Sequence, residues 1–273
     1  MTTQLDKANR FRALHQQPGA FVVANAWDAG SARILAGLGF AALATSSGAS
    51  AGILGRRDGH VTRDEALTQA RSMVLATDLP ISADLEKGFG DAPEIVAETV
   101  RMAAETGLVG CSIEDCTRDP QQPIYDFDFA VERIVAAVEA VSALSFPFTL
   151  TARAENFIRG NPDLDDTIRR LQAFERAGAD VLFAPGLPTL EAVRTVCSAL
   201  SKPVNFMVGI PGKSFSVAEL EAAGVKRISL ATSLYRAAMN GLVSAAREVQ
   251  ARGTFGYLEQ GITSAELAGY MQG

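Results

Sequence analysis

Four times along this chain a glycine is followed, a few residues later, by a short apolar run: Gly39 before 40–44, Gly107 before 108–113, Gly178 before 181–184 and Gly224 before 228–231. Glycine adopts the left-handed conformation that ends a helix without steric cost, so each one marks a helix handing over to a strand. The first three lie 68 and 71 positions apart, which is two strand-plus-helix units each if a unit is about 35 residues long. Completing the pattern gives eight strand candidates, at 21–25, 41–45, 81–84, 109–113, 148–152, 181–184, 204–207 and 228–231. They are short, apolar on both faces and separated by helical patterns, as strands of a doubly covered parallel sheet read.

The intervening segments carry helix start signals and apolar stripes. Thr62 with Glu65, and Asp91 with Glu94, have capping-box spacing. Val131, Ile134, Val138 and Val141 recur at helical spacing, as do Val96, Val100 and Ala103, so each helix has one face to lay on the sheet. The pattern predicts an α/β fold, a (β/α)₈ TIM barrel formed by residues 1–273 as a single domain, with 233–273 as a C-terminal helical extension. A barrel needs one helix after its last strand, yet two helical patterns follow here, at 233–252 and 264–271. A doubly wound open sheet is the competing architecture, but no GxGxxG follows the first strand.

Composition narrows the partners. With 48% hydrophobic and 21% charged residues the chain can bury a core. No apolar run reaches the roughly 20 residues of a membrane span, and the polar start resembles no secretory signal. A cytoplasmic location and no membrane association are expected. A net charge of −6 without a Lys/Arg stripe argues against nucleic acid and leaves small molecules as partners. Cys111, Cys116 and Cys197 have no CxxC spacing and read as free thiols.

Barrel enzymes take their reactive groups from the C-terminal ends of the strands. The third strand runs out through Asp84 and Glu86 into Lys87-Gly88-Phe89-Gly90, and alternation points both acids to one side. The fourth ends at Glu114 and Asp115, and Asp58 lies in the glycine-rich loop after strand two. Carboxylates sharing a cleft raise one another's pKa unless a cation joins them. Oxygen donors without clustered His or Cys suit Mg²⁺, or Mn²⁺. Asp84, Glu86, Glu114 and Asp58 are therefore the metal candidates, whereas Asp115 alone reads as a cap or solvated acid. Arg153, at the end of strand five, either forks onto a substrate carboxylate or pairs with Glu155 or Glu114. Ser47-Gly48-Ala49 is expected as a loop whose N–H groups cradle an oxyanion. His15 and His60 have no Ser or Cys partner at a recognisable spacing, which argues against a nucleophilic triad.

Taken in order, these residues resemble the isocitrate lyase / phosphoenolpyruvate mutase superfamily over nearly the whole chain. The resemblance rests on Asn25-Ala26-Trp27-Asp28-Ala29, Ser47-Gly48-Ala49 with Asp58, and the acidic element from Asp84 to Gly90. It continues through Glu114-Asp115, Thr151-Ala152-Arg153, Pro203-Val204-Asn205 and the segment from Ser233 to Ala238. It implies Mg²⁺ held directly by Asp84 and largely through water by Asp58, Glu86 and Glu114. Ser47, Gly48, Ala49, Arg153 and Asn205 would contact the substrate. It implies lyase or mutase chemistry beside a 2-oxo acid enolate, and a homotetramer that exchanges a C-terminal helix.

The chain also departs from that family. The lid after strand four lacks the Lys-Lys/Arg-Cys-Gly-His element of isocitrate and methylisocitrate lyases, and runs instead from Cys116 through Arg118 and Tyr125 to Asp126. Cys116 sits too early to be the family's catalytic cysteine. Glu86 and Lys87 stand where Asp and Thr are usual. The catalytic candidates are Arg153, Glu114 and Tyr125. The expected activity is Mg²⁺-dependent C–C cleavage of a small 2-oxo or 2-hydroxy (di)carboxylate. Phosphoenolpyruvate mutase or phosphonopyruvate hydrolase chemistry, oxaloacetate decarboxylation or hydrolysis, and a non-catalytic oxo-acid-binding barrel are the alternatives.

Overall fold

A computed structural model describes residues 2–271. Its eight parallel strands close into a barrel in sequence order: β1 (Phe21–Asn25), β2 (Leu43–Ala44), β3 (Ile81–Asp84), β4 (Gly110–Glu114), β5 (Thr149–Arg153), β6 (Val181–Phe183), β7 (Val204–Met207) and β8 (Arg227–Ser229). The helices are α1 (Gln4–Gln16), α2 (Ala29–Gly37), α3 (Ser47–Ile53), α4 (Arg63–Ala76), α5 (Pro93–Glu105), α6 (Phe127–Ser142), α7 (Leu164–Ala177), α8 (Leu190–Ser198), α9 (Val217–Ala222), α10 (Ser233–Arg252) and α11 (Ser264–Tyr270). No described helix is long and apolar enough to cross a membrane. The open-sheet alternative is excluded, because β1 pairs with β8 as well as with β2.

The glycine punctuation works as expected: Gly39, Gly107, Gly178 and Gly224 all have left-handed φ, between 89° and 110°. The Thr62–Glu65 capping box forms at the start of α4. The Asp91–Glu94 box does not. Ala92 occupies the N-cap, Pro93 opens α5, and the Asp91 carboxylate is taken instead by Lys87 and Tyr125. The stripes pack as predicted, with Val96, Val100, Ala103 and Ile134 buried and Val131, Val138 and Val141 packed against the same core.

At the N-terminal end of the barrel α1 acts as a plug. Ala8 and Phe11 form a buried cluster with Val23, Ala42 and Val109, and the His15 ring meets Phe11 and Phe21 edge-on, with centroids 4.8 and 4.9 Å away. His15 Nδ1 donates to the Phe11 carbonyl (2.8 Å). Burial, then the nearby Arg227 charge, pushes the imidazole down to about 3 from its ordinary 6.5. Below pH 6.5 the unfolded chain therefore takes up a proton that the folded one refuses. Stability is lost as pH falls toward about 3, at up to about 1.4 kcal/mol per pH unit. Urea unfolding of wild type and His15→Phe at pH 7 and pH 5 tests this. The variant should lose less stability on acidification, and parallel losses would refute the assignment.

After β8 the chain continues into α10, which buries none of its residues. Leu242, Val243 and Val249 are exposed. Beyond it, α11 returns to the barrel. The Tyr270 ring lies against Gly37 of α2, where a Cβ would stand 2.5 Å from the ring, and Arg33 Nη1 donates to the Met271 carbonyl (2.6 Å). Residues 272–273 of the predicted 233–273 extension lie outside the described residues.

Candidate active site

All eight strands contribute to a cavity of about 280 Å³ opening at the C-terminal mouth. Its centre of contacts is Asp84, the last residue of β3. Thr45 makes that position possible: its Oγ1 accepts the Asp84 N–H (2.9 Å), tying the strand end to the neighbouring loop. The Asp84 carboxylate accepts from Ser47 N–H (3.3 Å), Glu86 N–H (3.2 Å), Ser112 Oγ (3.4 Å) and Arg153 Nη1 (3.1 Å).

Arg153 is the second hub. Besides Asp84, its guanidinium contacts Glu114 (3.2 Å) and Glu155 (2.8 Å), and it lies over the Phe183 ring, 5.0 Å from the centroid. The salt-bridge reading of this arginine is the one the structure displays, and a lining position leaves it within reach of a ligand. Burial opposes its charge, but Glu155, Glu114 and Asp84 together hold its pKa above the ordinary arginine value. Glu114 is pinned between Arg153 and Arg159. Burial, with Glu155 and Asp84 beside it, pushes its carboxyl well above the usual range against the pull of both arginines.

Glu86 lines the cavity from a left-handed backbone conformation (φ 53°) and pairs with Arg118. Arg118, itself at φ 72°, also donates to the Gly59 carbonyl, so the replaced lid is fastened to the loop that carries Asp58. The non-glycine residues with positive φ among the described residues are Glu86, Phe89, Arg118 and Ala231, and three of these line the cavity. Such conformations cost roughly 1–3 kcal/mol each and concentrate at functional sites.

The structure relocates several predicted residues. Ser47-Gly48-Ala49 is not a loop but the first turn of α3, capped by Ser46, whose hydroxyl accepts the Ala49 N–H (3.5 Å). Ser47 and Gly48 line the cavity and Ala49 does not. Gly48 is required there, since a Cβ would stand 2.8 Å from Thr232 Cγ2. Asn205 lines the floor with its amide already used, accepting from Arg227 Nε (2.8 Å) and donating to Ser229 (3.1 Å). Asp115 is no solvated acid. It is buried, bonded to Arg170 (3.1 Å) and to the Glu155 N–H (2.8 Å).

Tyr125 does not line the cavity. Its hydroxyl donates to Asp91 (2.5 Å), and its ring stacks under Arg133, 4.3 Å away. Arg133 in turn donates to the carbonyls of Lys87, Gly90 and Asp91. This assembly packs behind the acidic loop that carries Glu86, and it leaves Tyr125 outside the cavity. Cys116 is likewise buried, paired with Ile124 in a β-bridge, with burial pushing its thiol up to about 11.

Among the described residues no three of His, Cys, Asp or Glu gather into a ready-made metal cluster. The acids ring the cavity and are held apart by arginines. That donor set fits a hard ion such as Mg²⁺, which retains several waters and takes only one or two carboxylates directly. The lining is also balanced: Asp58, Asp84, Glu86 and Glu114 face Arg118, Arg153, Arg159 and Arg227. A divalent cation entering with a dianion leaves that balance unchanged.

A closed barrel with an acid–arginine ring at its strand tips defines the class: a (β/α)₈ enzyme with a charged site at the C-terminal mouth. The phosphoenolpyruvate phosphomutase family model matches residues 11–250, and the chain belongs to that family, within the isocitrate lyase / phosphoenolpyruvate mutase superfamily. The oxaloacetate decarboxylase of Rhodopseudomonas palustris is 32% identical, over 89% of this chain and 85% of its own. The 2-methylisocitrate lyase of Escherichia coli is 31% identical, over 83% and 79%. A Burkholderia cenocepacia structure described in general terms as a lyase/mutase shares 50% identity at a TM-score of 0.96, covering 98% of this chain and 96% of that one.

Proposed function

We propose that the chain is a Mg²⁺-dependent lyase that breaks a C–C bond beside the 2-oxo or 2-hydroxy group of a small carboxylate. The observation that carries this reading is the convergence of Ser47, Ser112, Glu86 and Arg153 on the Asp84 carboxylate at the cavity mouth. Asp84 would hold the ion directly, and Asp58, Glu86 and Glu114 through water. When bound, the ion supplies Lewis-acid stabilisation of charge developing on the α-oxygen. Arg153 orients the substrate carboxylate, and Ser47 and Gly48 bound it from the α3 side. Glu114 fixes Arg153 and Arg159 relative to one another. The named lyase and decarboxylase relatives support a small carboxylate as substrate.

Neither Cys116 nor Tyr125 lines the cavity, so neither of these lid residues is placed to supply the acid that isocitrate cleavage needs. Proton transfer of that kind contributes about 10²–10⁴-fold. Glyoxylate release from isocitrate is therefore expected to be at background, while oxalate, a planar mimic of the pyruvate enolate, binds in the presence of Mg²⁺. Calorimetry and a glyoxylate assay test the pair. Rapid glyoxylate release, or no oxalate binding, would overturn the reading. A ³¹P assay on phosphonopyruvate distinguishes P–C chemistry.

The apolar exposure of Leu242 (62%), Phe255 (58%) and Leu258 (66%) along the C-terminal segment supports a homo-oligomer, a tetramer that covers this surface by exchanging it. Light scattering at micromolar concentration should find the tetramer, and a monomer alone would refute it.

A further inference from the structure

Barrel interiors are ordinarily packed with layers of branched aliphatic side chains. Here the positions below the mouth are small and polar: Ser82, Ser112, Asn205 and Ser229 all line the same cavity. At its floor lies Arg227, the first residue of β8, 6% exposed. The guanidinium donates from Nε to Asn205 Oδ1 (2.8 Å) and from Nη2 to Thr151 Oγ1 (2.9 Å), and Nη1 is buried with no partner. A guanidinium carries five N–H donors, so most of its donor capacity is unused. Every other arginine of the lining, Arg118, Arg153 and Arg159, is paired with a carboxylate, whereas Arg227 makes no ion pair among the described residues.

The layer geometry explains what this cation lacks. Arg227 bonds to Thr151, two residues before Arg153 on β5, so it lies one inward layer beneath Arg153, about 6.6 Å along the strand. The upper guanidinium has three acidic partners and the lower has none. Burial and the Arg153 charge together push Arg227 down to about 9, the behaviour of a cation awaiting a counter-ion.

We infer that the floor of the barrel is a second anion site, in which Arg227 takes a carboxylate beneath the Asp84–Arg153 mouth. Asn205 and Thr151 are its positioning residues, fixing the plane of the guanidinium. The carboxylate is either the distal group of a substrate whose other end occupies the mouth or a separate small monoanion. The mouth assignment rests on the proposed lyase reading. The Arg227 site does not require it.

The test compares Arg227→Met with wild type, using oxalate and 3,3-difluorooxaloacetate with Mg²⁺, and acetate in EDTA, all by calorimetry. A loss of at least tenfold for difluorooxaloacetate, with oxalate within twofold, identifies the distal carboxylate of a longer ligand. Acetate binding that wild type shows and the variant loses identifies a separate monoanion. Unchanged affinities for all three overturn the site, as does an equal loss for oxalate, which would mean a distorted mouth. Bromide-soaked wild-type crystals keep the idea testable if Arg227→Met fails to fold. An anomalous peak at hydrogen-bond distance from Arg227 is expected, and its absence refutes the proposal. If oxalate shows no Mg²⁺ dependence in wild type, the lyase reading fails while the bromide result still decides the floor.

Discussion

Asp84→Asn is expected to weaken Mg²⁺ binding by more than about 100-fold while leaving the barrel folded. Residues that merely support a metal ligand typically contribute 10–100-fold to affinity, so loss of a direct carboxylate should exceed that. The asparagine has the same shape, and its one oxygen can stand where Oδ1 accepts from Glu86 N–H, Ser112 Oγ and Arg153, so that only the Ser47 N–H, 3.3 Å from Oδ2, loses its acceptor. Arg153 retains Glu114 and Glu155 as partners, so no buried charge is stranded by the change. Calorimetric titration of the variant with Mg²⁺, alone and with oxalate, reads the effect directly. Wild-type affinity would remove Asp84 from the metal site and, with it, the centre of the proposed chemistry.

The parts of this molecule that follow from local rules were legible in the sequence. Helix-ending glycines and apolar runs placed all eight strands, because left-handed backbone and doubly covered strands leave simple residue signatures. The same rule hid Arg227. An apolar run begins at Ile228, so the charged residue one step earlier was left outside the strand, although alternation with Ser229 gives both the same inward face. Arg159 left no periodic trace either, since a 3₁₀ turn after β5 carries it back over Glu114. Asp91 read as a helix cap because spacing alone cannot show that Lys87 and Tyr125 claim its carboxylate. Tyr125 illustrates the same limit from the other side. A tyrosine in a lid suggests acid chemistry by its position, and only the packing, with Arg133 over its ring and Asp91 on its hydroxyl, puts it behind the loop of Glu86 and outside the cavity. Charged residues gathered from distant strands are resolved by packing, which the order of residues does not encode.

Arg153→Met tests whether the buried acids depend on this guanidinium for stability as well as for substrate. The methionine preserves an unbranched stem that can still fill the space against Phe183, so packing is changed less than charge. Asp84, Glu114 and Glu155 would lose a shared cation in a site where Glu155 is fully buried and Glu114 nearly so. Breaking a buried ion pair from one side typically costs about 3–5 kcal/mol, because the stranded charge keeps its desolvation penalty. Metal-free Arg153→Met should therefore unfold in urea with a deficit of that order. Mg²⁺ should restore part of it, since a bound cation replaces some of the missing positive charge. Arg153→Lys separates the two roles of the residue: it keeps the charge but not the planar fork. It should recover most of the stability while oxalate affinity stays at least tenfold below wild type. A Met variant with the wild-type urea midpoint would show that the acids are neutralised by other means, with Arg159 the first suspect because it already reaches Glu114 and Glu155. Full oxalate binding by the Lys variant would instead leave Arg153 as a counter-ion and assign carboxylate orientation to another group of the mouth.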